Sequence, residues 1–303
     1  MSVDGELGAA AGSPVASRRR IAGGSINEAY AVAFEDGRRA FVKTRAGAPA
    51  DEYPAEAAAL AWLAEPGAVR VPGVIACSPR FLALEWIEPG SLDAAGEEDL
   101  GRGLAGLHAA AAPAFGRPAG DAAPAARAGA AGSAPPSGAL RIGPLTLDAS
   151  PAPAWPELYA ERLVRPLIAA AYDRGSLTAR GAEAVGAACD RMAVLAGPDE
   201  PPARLHGDLW SGNVHAGADG RAWLVDPVAY GGHREVDLAM LRLFGRISPT
   251  TLAAYEEHAP LAPGHEDRVQ LYQLLPLLVH AVLFGGSYGA SAAQAARRYA
   301  GGF

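Results

Sequence analysis

The stretch RLHGDLWSGNVHAGADGRAWLVDPVAYGGHREVDLAM (residues 204–240) constrains the fold more than any other part of the chain. It is the densest polar stretch of a sequence that is half apolar. His206, Gly207 and Asp208 stand together, and Asn213 follows Asp208 by five residues. The apolar run Ala222-Trp223-Leu224-Val225 then reads as a strand ending in Asp226 and Pro227. A compact loop-and-strand region over 204–234 is expected, with helices before and after it.

Two carboxylates and an amide at this spacing suit phosphoryl transfer. One carboxylate must face the attacking hydroxyl. An amide a short loop away must reach the metal from the other side. A second carboxylate, at a strand end, must bridge Mg2+ to the nucleotide phosphates. Protein kinases carry an H-R-D-L-x-x-x-x-N loop followed by a D-F-G aspartate, and the Asp-to-Asn spacing here is the same. Lys43, in RRAFVKTRAG, is the chain's only lysine; every other one of the 26 basic residues is arginine. A compact ammonium suits a pocket that packs a cation against phosphates, where a planar guanidinium does not. In kinases such a strand lysine is held by a helix glutamate. Glu56 lies thirteen residues on, in the helix expected over YPAEAAALAWLAEPG. GGSIN (Gly23 to Asn27) lies between the first strands, where a backbone loop could cover phosphates. No G-x-x-x-x-G-K-[ST] occurs, which excludes a Walker-type NTPase. The bland alternatives are a lysine left by composition on a surface strand, and Asp208, Asn213 and Asp226 as ordinary Asx turns. A metal-hydrolase reading of His206-Gly207-Asp208 would need more ligands, and only His215 and His233 offer them nearby.

A length of 303 residues allows a large core and one or two domains. The net charge of −7 argues against non-specific nucleic-acid binding. Cys77 and Cys189 lie far apart in mostly apolar sequence and read as buried free thiols in a reducing compartment. No signal peptide is expected, because no apolar run follows a basic start. No run approaches the ~18 apolar residues of a membrane span. The expectation is a soluble cytoplasmic monomer that binds neither nucleic acid nor membrane.

Residues 1–17 read as a flexible tail. Residues 18–88 read as a small β-rich lobe with one helix. Its marks are the alternation through 29–34, a hairpin turn at Asp36-Gly37, and a strand resuming at 40–43. Residues 89–303 read as a larger, mostly helical lobe, in which Leu100, Leu104 and Leu107 share one helical face. Residues 109–139, rich in Ala, Gly, Pro and Ser, read as a mobile low-complexity loop.

GGSINEAY, FVK, EAAAL, VRVP, LHGDLWSGN, DPVAYGGHREVDLAM and LFG together resemble the fructosamine-3-kinase family, over roughly residues 18 to 290. That family is a branch of the kinase-like fold shared with aminoglycoside phosphotransferases and choline kinases. The resemblance implies an α+β, two-lobed protein-kinase-like fold, with nucleotide binding in 18–88 and catalysis and substrate binding in 89–303. It implies ATP and Mg2+ as cofactors, and phosphorylation of the sugar 3-hydroxyl of small-molecule or protein-bound ketosamines. The phosphorylated adduct falls apart, which makes the activity deglycation repair. Position by position, Asp208 matches the catalytic aspartate, Asn213 and Asp226 the metal ligands, and Lys43 and Glu56 the phosphate lysine and its partner. Gly23, Gly24 and Ser25 match the phosphate loop. Glu85, Trp86 and Ile87 match the hinge, where backbone groups meet adenine. There are departures. RIGPLTLDASPAPAW (residues 141–155) only faintly echoes the family's substrate-side G-x-x-P-Q-x-N. His233 stands where many members carry an acidic residue. Ser25 stands where some members carry a cysteine that could act as a redox switch.

Trp210, beside Asp208, could stack on a sugar face or pack in the core. His206 is read as structural, Asp237 as a brace for the catalytic loop at a helix start, and His280 as a core histidine. Two other functions compete. An aminoglycoside-type or other small-molecule phosphotransferase would need several carboxylates around a cationic acceptor. A non-catalytic nucleotide-binding pseudokinase would have no need for Lys43, Glu56, Asp208, Asn213 and Asp226 together.

Overall fold

A computed structural model describes residues 2–21, 27–116, 138–245 and 247–301. The proposed phosphate loop Gly23, Gly24 and Ser25 lies outside them, as do residues 117–137 of the low-complexity segment. The first lobe is an antiparallel sheet in the order β1-β2-β3-β5-β4. Its strands are β1 (Val15–Ile21), β2 (Glu28–Phe34), β3 (Arg39–Thr44), β4 (Val74–Ser78) and β5 (Phe81–Glu85). The β2–β3 hairpin turns at Asp36-Gly37, where Gly37 takes the left-handed φ of 85° that favours glycine.

Strand alternation splits the sheet into two apolar faces. One face carries Val32, Phe34, Ala40 and Val42, which pack with Phe81, Ala83 and Leu7. Leu7 belongs to helix α1 (Val3–Ala11), capped by the Ser2 hydroxyl, which accepts from Gly5 N at 3.1 Å. This corrects the expectation of a flexible tail over residues 1–17. Leu7 is completely buried, and β1 is already paired with β2 from Val15. The apolar side of α1 is built mostly from Ala and Gly, which give almost no contrast between faces, so hydrophobic periodicity does not mark it in the sequence.

The other face carries Leu82 and Leu84, covered by Tyr53 and Leu60 of helix α2 (Glu52–Ala64). Lys43 follows Val42 on β3 and so projects to the α2 side. Farther along α2, Ala59 and Leu63 pack against Leu107 and Ala229 of the second lobe.

The second lobe begins with α3 (Ala94–Ala109), whose Asp93 cap accepts from Gly96 N at 2.7 Å. A hairpin of β6 (Ala139–Ile142) and β7 (Leu145–Asp148) follows. A π-helical stretch, Glu157–Val164, runs directly into α4 (Arg165–Asp173). Helices α5 (Ala179–Asp190) and α6 (Met192–Leu195) come next. The polar stretch folds as two small antiparallel ladders, as expected: β8 (Ala203–Leu205) with β11 (Tyr230–Gly232), and β9 (Val214–Ala216) with β10 (Ala222–Leu224). The chain then continues through α7 (Glu235–Leu241), α8 (Pro249–His258), α9 (His265–Tyr272), α10 (Leu274–Phe284) and α11 (Tyr288–Arg297). The large core of this lobe joins α4, α5, α9, α10 and α11 around Tyr159, Leu163, Tyr272 and Leu278.

The flanks of the low-complexity segment are ordered parts of the fold, which narrows the loop expected over 109–139. Ala112 N bonds Pro202 O at 2.8 Å, and Phe115 and Gly116 bridge Ala152 and Gly231. The anchoring is by backbone, so composition gives no sign of it. Among the described residues no helix is long and apolar enough to cross a membrane.

Candidate active site

The lobes face each other across a cavity of about 1090 Å³. Both β3 and α2 contribute to its wall, as do residues 85–87, the β6–β7 hairpin, the loop from Gly207 to Asn213, Asp226, and the inner faces of α7 and α10. Lys43 lines the cavity, buried, with its ammonium 2.6 Å from Glu56 Oε1 and in direct contact with Asp226 Oδ1. Burial alone would depress the lysine's pKa, but the two carboxylates outweigh it and raise it, so the ammonium stays charged. Burial is also the largest influence on Glu56, and it holds that carboxyl above its ordinary range against the pull of Lys43. The thirteen-residue spacing from Lys43 to Glu56 thus closes in space.

Asp226 is delivered by β10. Val225 N bonds Asn213 O at 3.0 Å, which ties the strand end to the loop. Asp226 has a φ of 55°, a left-handed conformation that Asp tolerates better than most residues. Its side chain remains 47% exposed to the cavity. Asn213 closes a 3-10 turn (Ser211–Asn213) and donates through Nδ2 to Asp208 O at 2.8 Å and Asp208 Oδ2 at 3.0 Å. Its amide oxygen is then the atom left for a cation. Burial, with the nearby carboxylates of Asp226 and Asp237, pushes Asp208 up to about 7, while the Asn213 hydrogen bond pulls it down. A carboxyl raised to that range is poised to take a proton near neutral pH.

The loop holding Asp208 is braced from beneath. Asp237, completely buried at the start of α7, accepts from His206 N at 2.7 Å and Gly207 N at 3.0 Å. His108 of α3 lies 3.3 Å from the same carboxylate. Burial would raise Asp237, but these bonds hold it below the ordinary carboxylate range. His206 pairs with Val225 O through Nε2 at 3.0 Å and accepts from Asp208 N at 3.3 Å, as a neutral ring would. Both residues therefore support the loop, as the sequence suggested. Gly207 takes φ 81°, and a Cβ there would stand 1.9 Å from Val228 O, so only glycine fits.

Among the described residues no three His, Cys, Asp or Glu side chains gather to hold a metal ion. His215 lines the cavity, whereas His233 is buried and stacked on Tyr272 at 5.2 Å. Asp226 and Asn213 instead bring one carboxylate and one amide oxygen to the cavity, a sparse donor set that would suit Mg2+ only with phosphates and water completing its shell.

Glu85, Trp86 and Ile87 line the cavity at the end of β5. The Glu85 carboxylate turns away to accept from Gly73 N at 3.2 Å. The Trp86 ring is fixed by a 2.8 Å bond to Glu88 and by the Arg39 guanidinium 4.4 Å from its centre. Trp210 is not a core residue: it is 38% exposed and stands edge-on to Phe244 at 6.3 Å. Phe244 in turn meets His280 at 4.7 Å and Tyr288 at 6.1 Å, and Phe284 lies 5.4 Å from His280. This aromatic wall went unread in the sequence. His280, expected in the core, lines the cavity and bonds Pro276 O through Nδ1 at 2.7 Å. The available signal was the i, i+4, i+8 row Pro276, His280, Phe284 on one face of α10. The β6–β7 hairpin also reaches the cavity, through Arg141 and Ile142 of β6 and Gly143 of the turn.

Residues 3–123 and 141–300 match the sequence model of the fructosamine kinase family. A "Probable ketoamine kinase" of Enterococcus faecium is 31% identical over 283 residues, covering 90% of this chain and 92% of that protein. The crystal structure of a candidate fructosamine-3-kinase from Thermobifida fusca superposes with a TM-score of 0.86 at 38% identity, over 98% of each chain. A choline kinase of Streptococcus pneumoniae shares the fold at 15% identity, with a TM-score of 0.57 over 95% of this chain and 94% of that one. The two lobes seen here are thus those of a protein-kinase-like fold.

Proposed function

Because the chain belongs to the fructosamine kinase family, a family of kinases acting on hydroxyl groups, we propose that it transfers the γ-phosphoryl group of ATP to the sugar 3-hydroxyl of a ketosamine. The phosphorylated adduct then falls apart, freeing the amine, so the reaction serves deglycation. The observation that carries this reading is the contact of Lys43 with both Glu56 and Asp226. It joins the strand lysine, the helix glutamate and the aspartate beside Asn213 in one cluster, the arrangement a kinase needs at the phosphates.

In this reading Glu85, Trp86 and Ile87 meet the adenine through their backbone, and Gly23, Gly24 and Ser25 cover the phosphates. Lys43 holds phosphate oxygens, and Glu56 keeps its ammonium aimed. Asn213 and Asp226 hold Mg2+, which would screen the charge that develops on the transferred group. Asp208 orients the acceptor hydroxyl and accepts its proton as the oxygen attacks phosphorus. Its raised affinity for a proton suits that step. Trp210 offers a flat face to the sugar.

The aminoglycoside alternative is disfavoured by the wall opposite the nucleotide end. Phe244, Leu275, Val279, Leu283, Phe284 and Tyr288 line it. A polycationic acceptor would require carboxylates there. The test is ATP turnover across a panel of ketosamines and aminoglycosides, with the phosphorylated position read by NMR. Turnover of fructosyl-lysine with a 3-phosphate product is expected. Turnover of aminoglycosides alone would overturn the assignment.

A further inference from the structure

Helix α2 carries Glu56, and the second lobe grips this helix at both ends. At its C-terminal end Arg204 of β8 donates through Nη1 to Trp62 O at 2.6 Å and to Glu65 Oε2 at 2.7 Å. A cation there also suits the negative end of the helix dipole. At the N-terminal end Arg141 of β6 donates through Nη2 to both Asp51 oxygens, at 3.0 and 2.8 Å.

Local helix stability does not account for this second contact. Asp51 occupies the position from which aspartate usually caps a helix, yet its side chain makes no capping bond. Arg141 has taken it. The guanidinium also offsets the charge through which Asp51 would favour the positive end of the helix dipole, so the pairing adds little to the helix by itself. A bridge between lobes does account for it. On β6, Leu140 is buried in the large core and Arg141, the next residue, points to the cavity, as strand alternation requires. The side chains of Arg141 and Asp51 are only 23% and 16% exposed, so water screens the pair less than a surface pair. Glu56 lies five residues beyond Asp51, about 7.5 Å along the helix axis. Any shift of the first turns of α2 therefore moves Glu56, and with it Lys43.

We propose that Arg141 and Asp51 are positioning residues for phosphoryl transfer: their ion pair across the cavity fixes the first turns of α2 and so keeps Glu56 on Lys43. This rests on the kinase reading above.

The test is a double-mutant cycle of Arg141→Gln, Asp51→Asn and the two combined, with Arg141→Lys as the conservative variant. Two quantities are read: the KM for ATP with fructosyl-lysine as acceptor, and amide hydrogen exchange over residues 52–57. Each single neutral variant should raise KM about tenfold and speed that exchange, and the double should be no worse than either single, as for one shared interaction. Arg141→Lys should recover most of the loss. Additive losses in the double variant, or wild-type KM and exchange in the singles, would overturn the proposal. Exchange separates the two possible failures. Faster exchange in the singles with no ATP turnover in the wild type removes the kinase reading and leaves the grip on α2 standing. Wild-type exchange removes the grip.

Discussion

Lys43 is an ammonium pressed between two carboxylates, and its chemistry explains why it is not one of the arginines that fill the rest of the chain. A guanidinium is wider and planar, and it cannot converge on Glu56 and Asp226 in this buried space as a point charge does. Lys43→Arg should therefore fold normally yet lose on the order of 100-fold in kcat/KM, the scale of one lost electrostatic contact at a reacting centre. Circular dichroism melting and steady-state kinetics check both halves; wild-type turnover would refute the role. At this scale the sequence was most informative where residue spacing mirrors chemistry. The five residues from Asp208 to Asn213 and the strand end at Asp226 both proved to be spatial facts. Trp210 and His280 were harder to place. A residue facing a cavity lined by Leu and Phe and one facing a core lined by Leu and Phe obey the same helical and strand periodicities.

Among the elements, the β2–β3 hairpin and α2 were legible because strong local signals mark them: Asp36-Gly37 in one, Pro54 in the first turn and a run of Ala and Leu in the other. Helix α1 and the β6–β7 hairpin carry weaker marks: a Ser2 cap with Asp4 and Glu6 in the first turn of one, and Gly143-Pro144 at the turn of the other, each beside sequence of low contrast. The first is mostly Ala and Gly around Val3 and Leu7, and the second follows directly on low-complexity sequence. Yet α1 covers one face of the sheet with Leu7 among Val32, Phe34 and Phe81. Leu7→Ala should cost about 2–5 kcal/mol, the range for a buried leucine that leaves a cavity. At roughly 2–4 °C per kcal/mol, that is a fall in Tm of several degrees or more, measured by calorimetry. A Tm unchanged within about 1 °C would return residues 3–11 to the status of a tail.

The whole molecule is held at the site by contacts that span long stretches of chain. Lys43 and Asp226 are 183 residues apart, and Arg141 and Asp51 are 90 apart. No local pattern specifies such contacts. In the sequence Lys43 pairs with Glu56 and Asp226 stands apart from them, so neither the Lys43–Asp226 contact nor the Arg141–Asp51 pair is legible before the fold brings them together. In the proposed mechanism Asp208 acts as the base while Asp226 holds the metal. The most direct measurement is kcat against Mg2+ concentration for Asp208→Asn and Asp226→Asn, with ATP and fructosyl-lysine. Asp208→Asn should lower kcat by about 10²–10⁴-fold at every Mg2+ concentration, with ATP affinity close to normal, whereas Asp226→Asn should shift the Mg2+ dependence and recover in part at high Mg2+. Rescue of Asp208→Asn by Mg2+ while Asp226→Asn stays inactive would reverse the two roles, and wild-type rates in both variants would remove them.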